Sequence, residues 1–276
     1  MRDIRIAAVI FNSPLTQTRN NLDRMETWVK AAQEQEAAIV CFPELNISGY
    51  STHEDIKQTA EPIPGAASHH LWQMAQGHQI AILAGLVEKD ETGRVFASHL
   101  AIAPNGISGV YRKIHIAPPE RGIFSPGNTA PLFDIFGIKF GIQLCYDAHF
   151  PELSTRMAVD GAEVLFMPHA SPRGTPSEKF NSWMRHLTAR AFDNGLFVVA
   201  CNQIGDNHKG LHFPGIAVVL GPDGEVLKKE LKDEETMMVA DLASDDLARV
   251  RTHRMRYFLP NRRPEIYVPQ KGKDAA

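Results

Sequence analysis

The sequence is that of an ordinary globular chain with little net charge. It has 276 residues, of which 43% are hydrophobic and 22% charged, and its formal net charge is -3. This balance gives no reason to expect a nucleic-acid or membrane partner, and no apolar run approaches the length that spans a bilayer. The cysteines Cys41, Cys145 and Cys201 are odd in number and widely spaced. They argue against a disulfide framework and favour a reducing, cytoplasmic setting.

The first part of the chain alternates strands with helices, as α/β sheets do. Runs of apolar residues predict buried strands, and apolar residues at helical spacing predict the helices between them. A loop-rich segment over residues 46–63 interrupts this order and carries Tyr50 and His53. The predicted elements are strands over residues 4–10, 37–42 and 79–87 and helices over 20–36 and 67–76.

Two hairpin patterns occur at comparable places in the two halves of the chain. The first joins residues 97–103 to 108–116 through a turn at Asn105-Gly106, and the second joins residues 216–220 to 225–229. Their similarity suggests two related sheets packed face to face. Around them the second half predicts strands over residues 138–144, 164–167 and 196–200 and helices over 153–159 and 177–194.

Cys145 lies where an apolar strand breaks into a polar turn, and Pro151 predicts the first turn of the helix that follows. Ligands and reacting groups collect at the carboxyl ends of strands in α/β sheets. A thiol on such a turn is expected to be exposed and close to positive backbone dipoles, which favour the reactive thiolate. Taken alone, the stretch also fits a small buried cysteine without chemistry.

Two other stretches carry charges that complement a thiol. Glu44 follows an apolar run and Pro43, and Lys113 lies in a run with strand-like alternation. Taken singly, such residues are most often surface charges, but apolar surroundings weaken that interpretation, because an isolated charge at the end of a buried strand needs a partner. A thiol nucleophile needs a base to take its proton and an acid to expel an amine, and Glu44 can do both. Lys113 supplies a fixed positive charge for a substrate oxygen that becomes anionic, a contribution of about 3 kcal/mol.

Glu44, Lys113 and Cys145, with their order and flanking residues, resemble the three signatures of the nitrilase superfamily of carbon–nitrogen hydrolases. The resemblance runs from residues 7–9 to 262–264, nearly the whole chain. It implies an α/β fold, a four-layer α-β-β-α sandwich of two stacked mixed sheets. It also implies that Cys145 forms a thioester, that Lys113 holds the oxyanion and that Glu44 moves the protons, without metal or organic cofactor.

Further residues are candidates for positioning and substrate binding. Glu120 follows Lys113 by seven residues, in a segment that resembles the site of the family's second glutamate. It is a candidate to orient Lys113 or the substrate, and a solvated loop carboxylate is the alternative. Arg173 carries the fork of donors that pairs with a carboxylate, and it fits a solvated loop charge equally well. The candidate substrate contacts are Tyr50, His53, Tyr146, His149, His169 and Arg173.

The resemblance covers several activities. Cys145-Tyr146-Asp147 is similar to the amidase and carbamoylase branches, whereas nitrilases more often carry Trp-Glu after the cysteine. The prediction is a thiol amidohydrolase acting on a small linear amide or N-carbamoyl compound. A nitrile hydrolase and a ligand-binding member without turnover are the alternatives. We expect one domain over residues 1–276 and a homodimer or larger homo-oligomer, with the basic segment 246–276 as a tail at the subunit interface.

Overall fold

The computed structural model describes residues 1–267, which form two six-stranded mixed sheets with helices on their outer faces. The strands are β1 Ile4–Ile10, β2 Ile39–Cys41, β3 Ala81–Lys89, β4 Val95–Ala103, β5 Gly106–Arg112, β6 Leu132–Ile135, β7 Ile138–Ile142, β8 Val164–His169, β9 Phe197–Asn202, β10 Gly205–Asp206, β11 His212–Phe213, β12 Gly215–Leu220, β13 Val226–Lys232 and β14 Thr236–Leu242. The helices are α1 Thr18–Glu34, α2 Ala66–His78, α3 Pro151–Val159, α4 Pro176–Asn194, α5 Ser244–Arg251 and α6 Pro264–Tyr267.

The two sheets repeat one topology. Their strand orders are β14-β1-β2-β3-β4-β5 and β13-β12-β9-β8-β7-β6. In the first sheet β1, β2 and β3 are parallel, and in the second β7, β8 and β9 are parallel. The remaining strands of each sheet pair antiparallel. The two predicted hairpins, β4–β5 and β12–β13, therefore take the same place in the two sheets, and the predicted sandwich of stacked mixed sheets is confirmed.

Strand β1 shows why the apolar runs of the sequence are continuous. Ile6 and Ile10 point into the apolar core that includes β9 and β12 of the other sheet. Ala7 and Val9 point the other way and pack with residues of α1 and α2. Both faces of the strand are covered, as is usual for parallel strands in α/β folds, so no polar alternation is needed. With α3 and α4 outside the second sheet, the layers follow the order α-β-β-α.

Several predicted strand ends differ from those in the structure by a few residues, and three of them lie close to the candidate site residues. The strand predicted over residues 108–116 ends at Arg112, although the Lys113 amide still donates to the Ala97 carbonyl of β4 at 2.9 Å. The strand predicted over 138–144 ends at Ile142, and Cys145 opens a short 3-10 turn instead. Strand β8 runs on through Pro168, because beyond Phe166 its ladder to β7 has ended and only β9 is paired with it.

Strands β6 and β14 are absent from the sequence prediction. Each is an edge strand, paired antiparallel to a single neighbour. Strand β6 has only four residues, and β14, although mostly apolar, pairs with the first strand of the chain, which no local pattern indicates. Strand β14 brings the chain back from the second half to the first sheet. Within residues 1–267, no helix has both the length and the apolar character that crossing a membrane requires.

Candidate active site

A buried lysine between two carboxylates forms the centre of the candidate site. The Nζ atom of Lys113 donates to Oε1 of Glu44 at 2.8 Å and to Oε1 of Glu120 at 2.7 Å. All three side chains are at most 2% exposed. Burial disfavours the ammonium, but the two carboxylates outweigh it, so the pKa of Lys113 lies above its ordinary value. The lysine is therefore a permanent cation in a site nearly closed to water.

Glu44 is held by both halves of the chain. Its Oε2 accepts the Ala170 amide at 3.1 Å, and its carbonyl oxygen accepts Nε2 of Gln203 at 2.7 Å. The next residue, Leu45, has a φ of 52°, in the left-handed region that non-glycine residues seldom occupy. Burial raises the pKa of Glu44 to about 7, against the opposing effect of the Lys113 ammonium. A carboxyl group with such a pKa can both accept and return a proton near neutrality.

Cys145 stands on a strained turn. Its φ is 41°, again in the left-handed region, and the 3-10 turn Cys145–His149 leads directly into α3. Although Cys145 keeps partial exposure, burial of the thiol raises its pKa, and Glu44 adds to that effect more than Lys113 opposes it. The resting thiol therefore keeps its proton. The direction of this pKa is opposite to the expectation that the turn favours a free thiolate, because burial and the Glu44 carboxylate outweigh the Lys113 ammonium.

Asp147 joins the turn of Cys145 to the segment that carries Lys113. Its Oδ2 accepts the Tyr111 hydroxyl at 2.7 Å and the Leu144 amide at 3.1 Å. Its Oδ1 accepts the His115 backbone amide at 2.8 Å. Tyr111, Lys113 and His115 are spaced by two residues, as on one face of an extended chain. The bonds of Asp147 to Tyr111 and His115 therefore fix the turn of Cys145 relative to the Lys113 ammonium.

Glu120 is 1% exposed, which rules out the alternative of a solvated loop carboxylate. Its Oε1 accepts Nζ of Lys113 and also the Tyr50 hydroxyl at 2.8 Å, while its Oε2 accepts the Ala117 amide at 3.0 Å. Burial raises the pKa of the Tyr50 phenol, so it stays a hydrogen-bond donor. Glu120 thus holds the ammonium of Lys113 from the side opposite Glu44.

Aromatic and imidazole rings lie around the turn that carries Cys145. The ring of His169 lies 4.1 Å from that of Trp183, and the ring of His149 lies 5.6 Å from that of Tyr146 and 4.4 Å from that of His186. Burial lowers the pKa of all three histidines, to about 4 for His186. These imidazoles are therefore neutral at physiological pH and add no charge to the site.

Three of the predicted substrate contacts are exposed, namely His149 beside the cysteine turn and, further from it, His53 and Arg173. His53 is exposed, and its backbone amide donates to the Ser51 hydroxyl at the start of a short 3-10 turn. Arg173 is exposed, with a φ of 70° and its backbone amide bonded to the His212 carbonyl. Within residues 1–267 no side-chain hydrogen bond connects His53 or Arg173 to the lysine–carboxylate group. Their roles stay predictions.

Sequence reasoning missed three groups that shape the site. The Ala170 amide and the Gln203 side chain bind Glu44, but a backbone donor carries no sequence signal, and Gln203 belongs to none of the motifs in the sequence analysis. Asp147 was recognised as part of the cysteine motif without a role. The available signal was the position of Asp147, three residues after Leu144, from which its side chain can accept the Leu144 backbone amide.

Comparisons with known proteins identify the family of the chain. The family model for carbon–nitrogen hydrolases matches residues 5–252. A nitrilase of Pyrococcus abyssi is 32% identical over 278 residues, covering 96% of this chain and 99% of the relative. Omega-amidase NIT2 of Xenopus tropicalis is 30% identical, covering 92% and 93%. An amidase variant from Nesterenkonia sp. AN1, with acrylamide added at its active-site cysteine, is 25% identical with a TM-score of 0.79 and coverage of 96% and 98%.

The chain therefore belongs to the carbon–nitrogen hydrolases of the nitrilase superfamily. It is an enzyme, a hydrolase that acts on carbon–nitrogen bonds other than peptide bonds. The sandwich and the buried lysine–carboxylate group beside a cysteine are what the sequence resemblance implied for this family.

Replacing Lys113 by Met tests the lysine–carboxylate group. We expect Lys113→Met to lower the free energy of unfolding at pH 7 by about 3–5 kcal/mol, because it leaves two adjacent buried carboxylates without a cation. The loss should be smaller at pH 5, since protonation of a carboxylate relieves their repulsion. Urea unfolding at both pH values measures the difference.

The matched control is Lys30→Met, because Lys30 is an exposed helix residue 3.9 Å from Glu34. Its effect should stay below about 1 kcal/mol at both pH values. Equal effects of the two substitutions would contradict the importance of the buried group.

Proposed function

We propose that this enzyme is a thiol amidohydrolase that cleaves a small linear amide or N-carbamoyl compound through a thioester on Cys145. The observation that carries the proposal is the buried Lys113 between Glu44 and Glu120, next to a cysteine on a strained turn. The relatives named as amidases, and the amidase variant modified at its active-site cysteine, support it.

The first half of the proposed reaction forms the thioester. Glu44 takes the thiol proton as Sγ of Cys145 attacks the carbonyl carbon, and the carbonyl electron pair moves onto oxygen. The Lys113 ammonium, whose third N–H is not used by the carboxylates, stabilises that oxyanion together with the Tyr146 amide. When the carbon–nitrogen bond breaks, Glu44 gives its proton to the nitrogen, and ammonia or an amine leaves.

The second half releases the acid. Glu44 takes a proton from water as the water oxygen attacks the thioester carbon, and Lys113 again faces the oxyanion. The carbon–sulfur bond then breaks, and the proton on Glu44 returns to the sulfur. One water is consumed, one carboxylic acid is produced, and the enzyme returns to its starting state without a metal or organic cofactor. Glu120 acts as a positioning residue that holds Lys113 in place.

The side chains around the candidate site are the basis for the proposed substrate contacts. We propose that Tyr50, Tyr146, His149 and His169 contact the substrate, because their rings surround the cysteine turn and the lysine–carboxylate group. His53 and Arg173 would act from the surface, on a longer substrate. The Pyrococcus relative named a nitrilase favours a nitrile as the second candidate substrate. The intact set of Glu44, Lys113 and Cys145 argues against a binding protein without turnover.

Substitution of the nucleophile tests the thioester route. Wild-type protein mixed with a panel of amides, ureido acids and nitriles should gain the acyl mass on Cys145 and release ammonia or an amine. Cys145→Ala should lose the adduct and lower turnover by more than about 10³-fold, as removal of a nucleophile does. Intact-mass spectrometry and an amine assay measure both.

Cys201→Ala is the matched control, since Cys201 is a fully buried thiol outside the site, and its adduct and turnover should persist. Turnover that survives in Cys145→Ala would refute the route. Binding without adduct or product across the panel would favour the binding protein.

The pH dependence follows from Glu44. Because its pKa is about 7 and its ionised form must accept the thiol proton, kcat/KM should rise with pH to a midpoint of about 7. Below that midpoint the rise should be about tenfold per pH unit, as for a single ionisation. Initial rates between pH 5 and 9 measure it. A rate that falls between pH 6 and pH 8 would show that Glu44 is not the base.

We further propose that the chain is a single domain, forms a homodimer or larger homo-oligomer, and resides in the cytoplasm. Val159 on α3 and Phe192 on α4 are 53% and 44% exposed, and Phe258 of the C-terminal segment packs on Phe192. Such exposed apolar groups are typical of interaction surfaces. The three free cysteines fit a reducing compartment.

Part of the predicted interface tail packs on its own chain. Arg251 of α5 donates to the carbonyl oxygens of Ala162 and Gly195, at 2.6 and 2.9 Å. The described portion of the tail ends at residue 267, and residues 268–276 lie outside the described residues. The candidate interface is therefore the outer face of α3 and α4 together with residues 252–267.

Light scattering at micromolar concentration tests the oligomer. We expect a mass of two or more chains, and we expect Val159→Asp to reduce it, because a charge is costly in an apolar interface. Ile107→Asp, at an exposed apolar position on β5, is the control that should keep the wild-type mass. A wild-type protein with the mass of one chain would exclude the assembly.

A further inference from the structure

Lys179 is a half-buried cation on the edge of the site with no anion to balance it. Its Nζ donates to the Ser171 hydroxyl at 3.0 Å and to the Pro172 carbonyl at 2.7 Å, and both acceptors are neutral. Among residues 1–267, no carboxylate forms an ion pair with this ammonium. A cation in the first turn of a helix, where Lys179 lies in α4, is also opposed by the helix dipole.

The ammonium is fixed close to the reacting groups. Ser171 follows Ala170, whose amide donates to Oε2 of Glu44. The backbone of Ser171 is itself held by Asn202, which accepts its amide at 2.8 Å and donates to its carbonyl at 3.0 Å. Lys179 is therefore anchored to Ser171 and Pro172, which directly follow the residue that donates to Glu44. Two of its three N–H groups are used there, which leaves one for a ligand.

Two other cations of the site, Lys113 and Arg190, are already engaged, whereas Arg173 lies at the surface. Lys113 is balanced by two carboxylates, and Arg190 donates to the carbonyl oxygens of Ala148 and His149 at 2.9 and 3.2 Å. Burial and the nearby charge of Arg173 lower the pKa of Lys179, while the negative charge of a Cys145 thiolate raises it, so this ammonium responds to charge at the reaction centre. An anion brought by the substrate is a partner that residues 1–267 do not provide.

We propose that Lys179 is a substrate-binding residue that receives a carboxylate, so that the substrate is an amide or N-carbamoyl compound carrying a second, anionic end. This inference rests on the proposed amidohydrolase function and narrows its substrate class. The free N–H of Lys179 would donate to the carboxylate in a charge-assisted hydrogen bond, which is stronger than one between neutral groups. The amide end would then reach Cys145, on the other side of the Ala170–Ser171 segment.

The test compares pairs of amides that differ only at the far end. Each pair is a monoamide of a dicarboxylic acid with three to six carbons and its analogue with a methyl group in place of the carboxylate, such as succinamate and butanamide. Wild-type kcat/KM should favour the anionic member of at least one pair by tenfold or more. Lys179→Met should reduce that preference by about 10- to 100-fold, mainly through KM, as loss of a hydrogen bond to a charged group does.

Two further variants separate binding from structure. Lys179→Arg keeps the charge and should retain most of the preference, whereas Lys30→Met, on the outer surface of α1, should leave it unchanged. If Lys179 only clamps the Ser171–Pro172 segment, Lys179→Met will slow both members of each pair equally, and the proposal fails. It also fails if the wild type shows no preference for the anionic member.

Binding measurements decide the inference even without turnover. Calorimetry with Cys145→Ala protein should show succinamate or one of its homologues binding at least tenfold more tightly than its neutral analogue. Adding Lys179→Met should remove that difference. If the anionic compounds bind with the expected selectivity but the wild type hydrolyses none of them, the result supports the carboxylate site at Lys179. The same result would refute the proposed reaction. Equal binding of both members would overturn the anion site alone.

Discussion

The candidate site depends on one electrostatic constraint, the burial of the Lys113 ammonium between the carboxylates of Glu44 and Glu120. A lone charge at this depth would cost several kcal/mol, so the three groups must be assembled together or not at all. Their charges do not cancel, since two carboxylates face one cation. The excess negative charge and the burial explain why Glu44 holds a proton up to about pH 7 and why the Cys145 thiol stays protonated.

The backbone beside these charged groups adopts unusual conformations that other contacts must hold in place. Leu45 and Cys145 both adopt positive φ angles, directly after the base and at the nucleophile. Such conformations cost free energy and persist only where surrounding contacts hold them. Here the contacts are present, because Asp147 ties the cysteine turn to Tyr111 and His115, and Gln203 holds the carbonyl of Glu44. The backbone at Glu44 and at Cys145 is thus held by contacts within the protein itself.

The sequence predicted the parts of this arrangement that have local signals. Glu44 and Lys113 lie beside apolar runs, and Cys145 follows another, where a charge or a thiol has few structural explanations. Strand β6 gave a weak signal because it has only four residues, and the partner of β14 lies at the other end of the chain. The Ala170 amide and Lys179 could not be found, since a backbone donor has no residue type and a helix lysine is usually solvated. The bond from Ala170 to Glu44 also depends on how the two sheets stack, which is a property of the whole chain.

The stacking of two similar sheets divides the site between the halves of the molecule. Glu44, Lys113 and Glu120 come from the half before residue 121, whereas Cys145 and Ala170 come from the half after it. A molecule that contacts both halves can bind only while the sheets are stacked, so occupancy and global folding are thermodynamically linked. A ligand at 100 times its Kd would add about 2.7 kcal/mol to the free energy of unfolding. A ligand bound at this site would therefore stabilise the stacked arrangement of the two sheets against unfolding.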